Sequence, residues 1–141
     1  MMVRLLYASR CESLGPEMIE SILKRSRENN PRQGITGLLC HGGEVCMQVL
    51  EGGREPVNAL YNAIARDARH RDVTMLHYEE ITERRFAGWT MGQVNLARIN
   101  PSLLLKYSEK PRLDPFAVSG RVSMALLEEL IATASIVGRG G

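Results

Sequence analysis

Four polar side chains stand on elements that carry an apolar face, and they are the ones with chemistry to offer: Tyr7, Asn30, Gln48 and Trp89. Gln48 is the most informative. It sits between Met47 and Val49, on the strand parity of Cys46 and Leu50. A buried primary amide has two donors and two acceptor lone pairs to satisfy, so it is costly unless a partner waits for it. Tyr7, between Leu6 and Ala8, brings a phenol able to donate a hydrogen bond and a proton. Taken singly, each of the four reads as a satisfied core group. Brought together, the phenol, the carboxamide and the Asn30 amide would line a pocket suited to a planar heteroaromatic ligand with carbonyl and nitrogen edges. The sequence carries no catalytic triad, no HExxH, no Gly-rich phosphate loop and no metal-ligand cluster, which favours a binding module over an ordinary enzyme.

The elements that must position these groups can be read from periodicity. Val3, Leu5, Tyr7 and Ser9 alternate with Arg4, Leu6 and Ala8, so residues 3–9 form a strand on which Tyr7 points where Leu5 points. Pro16 opens a helix whose stripe is Met18, Ile19, Ile22, Leu23 and Ser26, and which ends at Asn29, Asn30 and the breaker Pro31. Two apolar runs, 34–40 and 45–51, joined through Gly42-Gly43, predict an antiparallel hairpin. Apolar residues occupy both parities of these runs, so both faces of the sheet must be covered.

Pro56, Val57, Leu60, Tyr61 and Ile64 mark a second helix ending near Asp67, followed by strands near 73–81 and 89–96. The order β-α-β-β-α-β-β begins with the ferredoxin-like pattern, giving an α+β fold with a five-stranded mixed sheet and two helices on one face. The other cover falls to the C-terminal region, residues 97–141, after a first unit at 1–96. Ser102 to Tyr107 predicts a short helix and Val122 to Val137 a longer one, with a stripe of Leu126, Leu127, Leu130, Ile131, Ala134 and Val137. That stripe suits either docking on the open sheet face or a dimer contact. Residues 106–115 read as a linker and 138–141 as a frayed tail.

Composition narrows the class without naming a partner. With 141 residues one core is expected. Lys+Arg 18 against Asp+Glu 16 is too balanced for an electrostatic grip on nucleic acid, and an aromatic content of 5% is low for an RNA-stacking sheet. Absence of a signal-peptide pattern and of a long apolar run predicts a cytoplasmic, membrane-free protein. Cys11, Cys40 and Cys46 are odd in number with no CxxC pair, so free thiols are expected and a metal site is not.

One succession of short segments carries a resemblance. Tyr7-Ala8-Ser9, Asn29-Asn30, Gly34-Ile35-Thr36-Gly37-Leu38-Leu39, Gln48-Val49-Leu50-Glu51-Gly52, Arg66-Asp67 with Arg69-His70, Arg84-Arg85-Phe86 and Trp89-Thr90-Met91-Gly92 resemble the BLUF signature in order and spacing. Each piece is weak alone, but the series over about residues 2 to 96 is specific. The resemblance implies a blue-light photoreceptor with FAD as chromophore, its ring between the two helices and flanked by Ile22 and Ile64. Asn30 would bond the flavin carbonyl region, with Arg32, Asp67, Arg69 and His70 near the polar edge and ribityl chain.

The implied mechanism uses Tyr7 as electron and proton donor and Gln48 as the amide that rearranges its hydrogen bonds, by rotation or tautomerisation. Trp89 or Met91, on the last strand, would then relay the switch to the C-terminal helices. Cys46-Met47 departs from the bulky aromatics often found before that glutamine. The resemblance also implies a short receptor without an output enzyme, signalling to a separate protein or to a second copy of itself as a homodimer. Two other readings are an acylphosphatase-like hydrolase, which would be colourless and indifferent to Tyr7, and a flavin-free protein-interaction module.

Overall fold

The computed structural model describes residues 1–11 and 16–133. Its strands are β1 (Met2–Arg10), β2 (Thr36–Gly42), β3 (Val45–Gly53), β4 (Arg71–Ile81) and β5 (Gly92–Asn95), and its helices α1 (Pro16–Gln33), α2 (Arg54–Arg66), α3 (Pro101–Tyr107) and α4 (Gly120–Ala132). The sheet order is β4-β1-β3-β2-β5, antiparallel except for the parallel pair β2·β5. This is the expected ferredoxin-like α+β sheet with a fifth strand added at the β2 edge.

Alternation along the central strands divides the core in two. Val3, Leu5, Tyr7, Cys46 and Leu50 face α1 and α2, where they meet Ile19, Leu23 and Val57. Leu6, Leu38, Met47 and Val49 face the other way and pack with Leu104, Leu113, Leu126, Leu127 and Leu130 of the C-terminal region. Of the two roles open to the C-terminal helices, the described part of α4 takes docking on the sheet. Ala134 and Val137 of the expected stripe, and the tail at 138–141, lie outside the described residues.

Three expectations about boundaries are corrected. Helix α1 does not stop at Pro31 but runs through it to Gln33. Pro31 falls in the last turn, and the helix closes on a glycine cap instead: Gly34 has φ 68°, Gly34 N donates to Pro31 O at 3.3 Å and Ile35 N to Asn30 O at 2.9 Å. In the β2–β3 hairpin the positive φ falls on Gly43 alone (58°). Gly42 ends β2, and a Cβ there would lie 2.9 Å from the Leu96 Cβ. The last strand is only Gly92–Asn95, so Trp89 and Met91 precede it, in the segment joining β4 to β5.

The C-terminal helix seats on a defect in the edge strand. Leu6 pairs with His77 and Tyr7 with Met75, leaving Leu76 as an extra residue on β4. Gly120, at the start of α4, approaches the Leu76 carbonyl so closely that a Cβ would stand 2.1 Å from its oxygen. Ser119 caps this helix, its side chain accepting from Val122 N. Among the described residues, no helix is long and apolar enough to cross a membrane.

Candidate functional site

A cavity of about 370 Å³ opens between α1 and α2 over the face of β1, β2 and β3. Its apolar walls are Ile22 from α1, Leu60 and Ile64 from α2, Ile35 just before β2 and Leu39 on it. Tyr7 and Gln48 lie at its floor, Asn30 at the end of α1, and Asp67, Arg69 and His70 at the end of α2. Eight of the proposed contact residues therefore meet at one cavity. Arg32 does not: it is exposed near the end of α1 and is absent from the lining, because the stripe of α1 that faces the cavity is carried by Ile22, Ser26, Asn29, Asn30 and Gln33.

The floor is set by strand register. Tyr7 and Gln48 are direct partners across β1 and β3, so their side chains emerge side by side on the α1/α2 face. The Tyr7 hydroxyl donates to Gln48 Oε1 at 2.5 Å, and Gln48 Nε2 donates to Met91 Sδ at 3.3 Å. Tyr7 is 1% exposed and Gln48 4%. Burial, reinforced by Cys46, Cys11, Tyr61 and Asp67, holds the Tyr7 phenol well above the ordinary tyrosine range, so it is a neutral donor at any physiological pH.

Met91 and Trp89 go to opposite sides of the sheet. Met91 is fully buried in the α1/α2 core beside Gln48, whereas Trp89 packs in the core under the C-terminal helices. The segment carrying both is tied to α1 and β2: Asn30 Nδ2 donates to Thr90 O at 3.2 Å, and Gly37 N to Trp89 O at 2.9 Å.

At the polar end, Arg69 bonds both carboxylate oxygens of Asp67, with Nη2 2.6 Å from Oδ2. The Arg69 guanidinium thereby draws the Asp67 carboxyl down to about 2. Beside it lies a cluster that sequence reasoning did not assemble. His70 Nδ1 is 2.8 Å from Ser9 Oγ and 3.3 Å from Cys11 Sγ. Hydrogen bonds from Cys46, His70 and Ser9 pull the Cys11 thiol below its usual range. The alternation that put Ser9 on the parity of Tyr7 was the signal that could have found it. Cys40 lies on the opposite face, where burial pushes its thiol up to about 12.

This donor set fits a flavin. The walls are apolar, the cavity lies in the size range of small-molecule sites, roughly 300–1,000 Å³, and among the described residues the Gln48 amide nitrogen donates to a thioether, a weak acceptor. One N–H of that amide is thus open to a stronger acceptor on a ring in the cavity. The family model described as "Sensors of blue-light using FAD", BLUF, matches residues 2–92. The chain belongs to the BLUF family. FAD is the family's chromophore, and this BLUF chain is a blue-light photoreceptor.

Among solved structures, the photo-activated state of BlsA superimposes with a TM-score of 0.82 at 29% identity, over 93% of this chain and 95% of that one. The dark state of BlrB gives 0.79 at 32% identity, over 94% and 96%. A curated relative, photoactivated adenylate cyclase subunit beta of Euglena gracilis, is 36% identical over 74 residues, 52% of this chain. The BLUF chain spans only 9% of that relative's length.

Proposed function

We propose that light is converted into a structural signal at the Tyr7–Gln48 pair, with Tyr7 as donor and Gln48 as the group whose hydrogen bonds change. Bound FAD supplies the blue absorption and, once excited, a place for an electron. Tyr7 would be the residue to give up that electron, and its phenolic proton has an acceptor already in contact, Gln48 Oε1. An amide that received the phenolic proton on oxygen and passed one from nitrogen to an acceptor on the ring edge would exchange its donor and acceptor ends, and rotation of the side chain does the same with no net proton transfer. Once the proton and electron had returned, the rearranged amide would offer the ring a different hydrogen-bond pattern, which a red shift without net chemistry would report.

Ile22 and Ile64 sandwich the ring in this reading, Asn30 meets its carbonyl edge, and Asp67, Arg69 and His70 serve the ribityl side. Met91, as the neighbour of the Gln48 amide, senses the change first, and Trp89 reports on the opposite face. The receptor acts in the cytoplasm as a sensor and not as an enzyme, passing its signal to a separate protein or through a homodimer. What supports the reading most is the phenol-to-amide bond at the cavity floor.

The deciding experiment is the visible spectrum of purified protein before and after blue illumination. A yellow protein with a reversible red shift that vanishes in Tyr7→Phe is the expected result. A shift that survives Tyr7→Phe unchanged overturns the donor assignment.

A further inference from the structure

The segment between β4 and β5, residues 82–91, is held near its middle by a carboxylate that the photochemistry does not use. Glu51 stands on β3, three residues beyond Gln48 and on the opposite face, with no solvent exposure. Its Oε1 accepts from Phe86 N at 2.6 Å and its Oε2 from Arg85 N at 3.1 Å, while Arg4 Nε and Nη2 each lie 2.7 Å from Oε2. Arg4 is itself 2% exposed and also pairs with Glu79 of β4. A carboxylate taken out of water is costly unless charge-assisted hydrogen bonds occupy both oxygens. Here they do, and two of the donors are adjacent backbone N–H groups of the 82–91 segment.

From that anchor the segment runs in two directions. Toward the cavity it ends at Met91, whose sulfur meets Gln48 and whose carbonyl accepts from Arg27 of α1 at 3.3 Å. Toward the opposite face, the Arg85 side chain forms an ion pair with Glu128 of α4. One stretch of backbone therefore touches the switching amide and the C-terminal helix, with Glu51 fixing it between them.

We propose that Glu51, charge-balanced by Arg4, is a positioning residue that sets the Met91 thioether against Gln48, and that Arg85–Glu128 carries the resulting displacement to α4. The inference rests on Gln48 being the amide that switches. Glu51 needs both oxygens as acceptors: Glu51→Gln turns one into a donor facing another donor, freeing the segment at Arg85 or Phe86 while keeping side-chain size. Met91 then loses its fixed place although it is unaltered.

The test uses the FAD-loaded full chain with 13C-methyl methionine, reading the Met91 and Met124 methyl resonances by NMR together with the visible spectrum. Glu51→Gln is expected to form the light-induced red shift but to move the dark-state Met91 resonance and change the dark-recovery rate at least several-fold. Glu51→Asp, which keeps the charge, is expected to restore part of both effects. Arg85→Ala, an exposed change that leaves the backbone anchor intact, is expected to keep the dark Met91 resonance and remove the light-induced shift of Met124 on α4. An unmoved Met91 resonance and unchanged recovery in Glu51→Gln would overturn the positioning role, and a Met124 response that persists in Arg85→Ala would overturn the route. Should Glu51→Gln fail to fold, Arg4→Lys makes the same test, since it loosens the carboxylate and must move Met91 for the proposal to stand. Failure of the underlying photochemical reading shows separately, as a parent protein without any red shift.

Discussion

Tyr7 and Gln48 are registered partners on adjacent central strands, and the phenol reaches the amide oxygen at 2.5 Å while the amide nitrogen turns to Met91. That arrangement orients the amide, since an O-to-N flip would turn the amide oxygen toward the Met91 thioether, which has no hydrogen to donate, and would take from the phenol the acceptor it now has.

Gln48→Leu keeps the side chain's bulk but strips both ends of the bridge. It is expected to retain FAD and lose the red shift. The orphaned, buried Tyr7 hydroxyl should cost about 1–3 kcal/mol of stability, read by urea denaturation. The double change Tyr7→Phe/Gln48→Leu, which leaves no orphan, should regain part of that loss, and a double variant no more stable than the single one contradicts the accounting.

Met91→Leu removes the acceptor that holds the amide nitrogen in the dark arrangement. The red shift should persist and dark recovery should slow, because the state to which the amide returns has lost a contact. A weak sulfur hydrogen bond of about 0.5–1 kcal/mol corresponds to roughly a 2- to 5-fold change in rate. Faster recovery in flash spectroscopy would contradict this.

The raised Tyr7 pKa has two consequences with pH. The neutral phenol persists, so the amplitude of the red shift should stay flat from neutral pH up to and past 10.0, the ordinary tyrosine value. Stability behaves differently. Because the fold favours the neutral form, the contribution is complete below 10.0 and is lost as pH rises from there toward the folded value, where the unfolded chain ionises and the native one does not. Amplitude and thermal melts recorded over the same alkaline series should part company, with the melts falling first.

Leu127→Ala lies in the core between α4 and the sheet, at a fully buried position. A cavity there should cost about 2–5 kcal/mol in denaturant unfolding while the red shift remains, since the cavity proposed for the ring is on the other face. Loss of the shift at full folding would show that the two cores are less separate than the packing implies.

Much of the site was legible because strands obey a period of two. Tyr7 with Leu5, and Gln48 with Cys46 and Leu50, had to face alike once both were placed on strands, and the ferredoxin-like order made those strands neighbours. Helical spacing likewise put Ile22 and Ile64 on facing stripes. The C-terminal boundary of α1 was missed because Pro31 carries a local signal for ending a helix, while the actual end depends on Gly34 and its pair of backbone hydrogen bonds. Trp89 and Met91 read as one strand, yet they lie in an irregular segment whose path is decided by tertiary bonds to Gly37, Asn30 and Arg27. No spacing rule contains those. Arg4 and Glu51 did leave a trace: opposite charges on the apolar parity of two strands destined to pair can only be buried against each other.

The sheet is covered on both faces, with Gly120 of α4 lodged against the Leu76 carbonyl. A minimal sensor trimmed after residue 96 for fusion to another protein would bare Leu6, Leu38, Met47 and Val49 as a sticky plank, inviting aggregation of an otherwise functional photoswitch. Anyone transplanting the module should carry the helices with it, or refill that plank with a helix from the host.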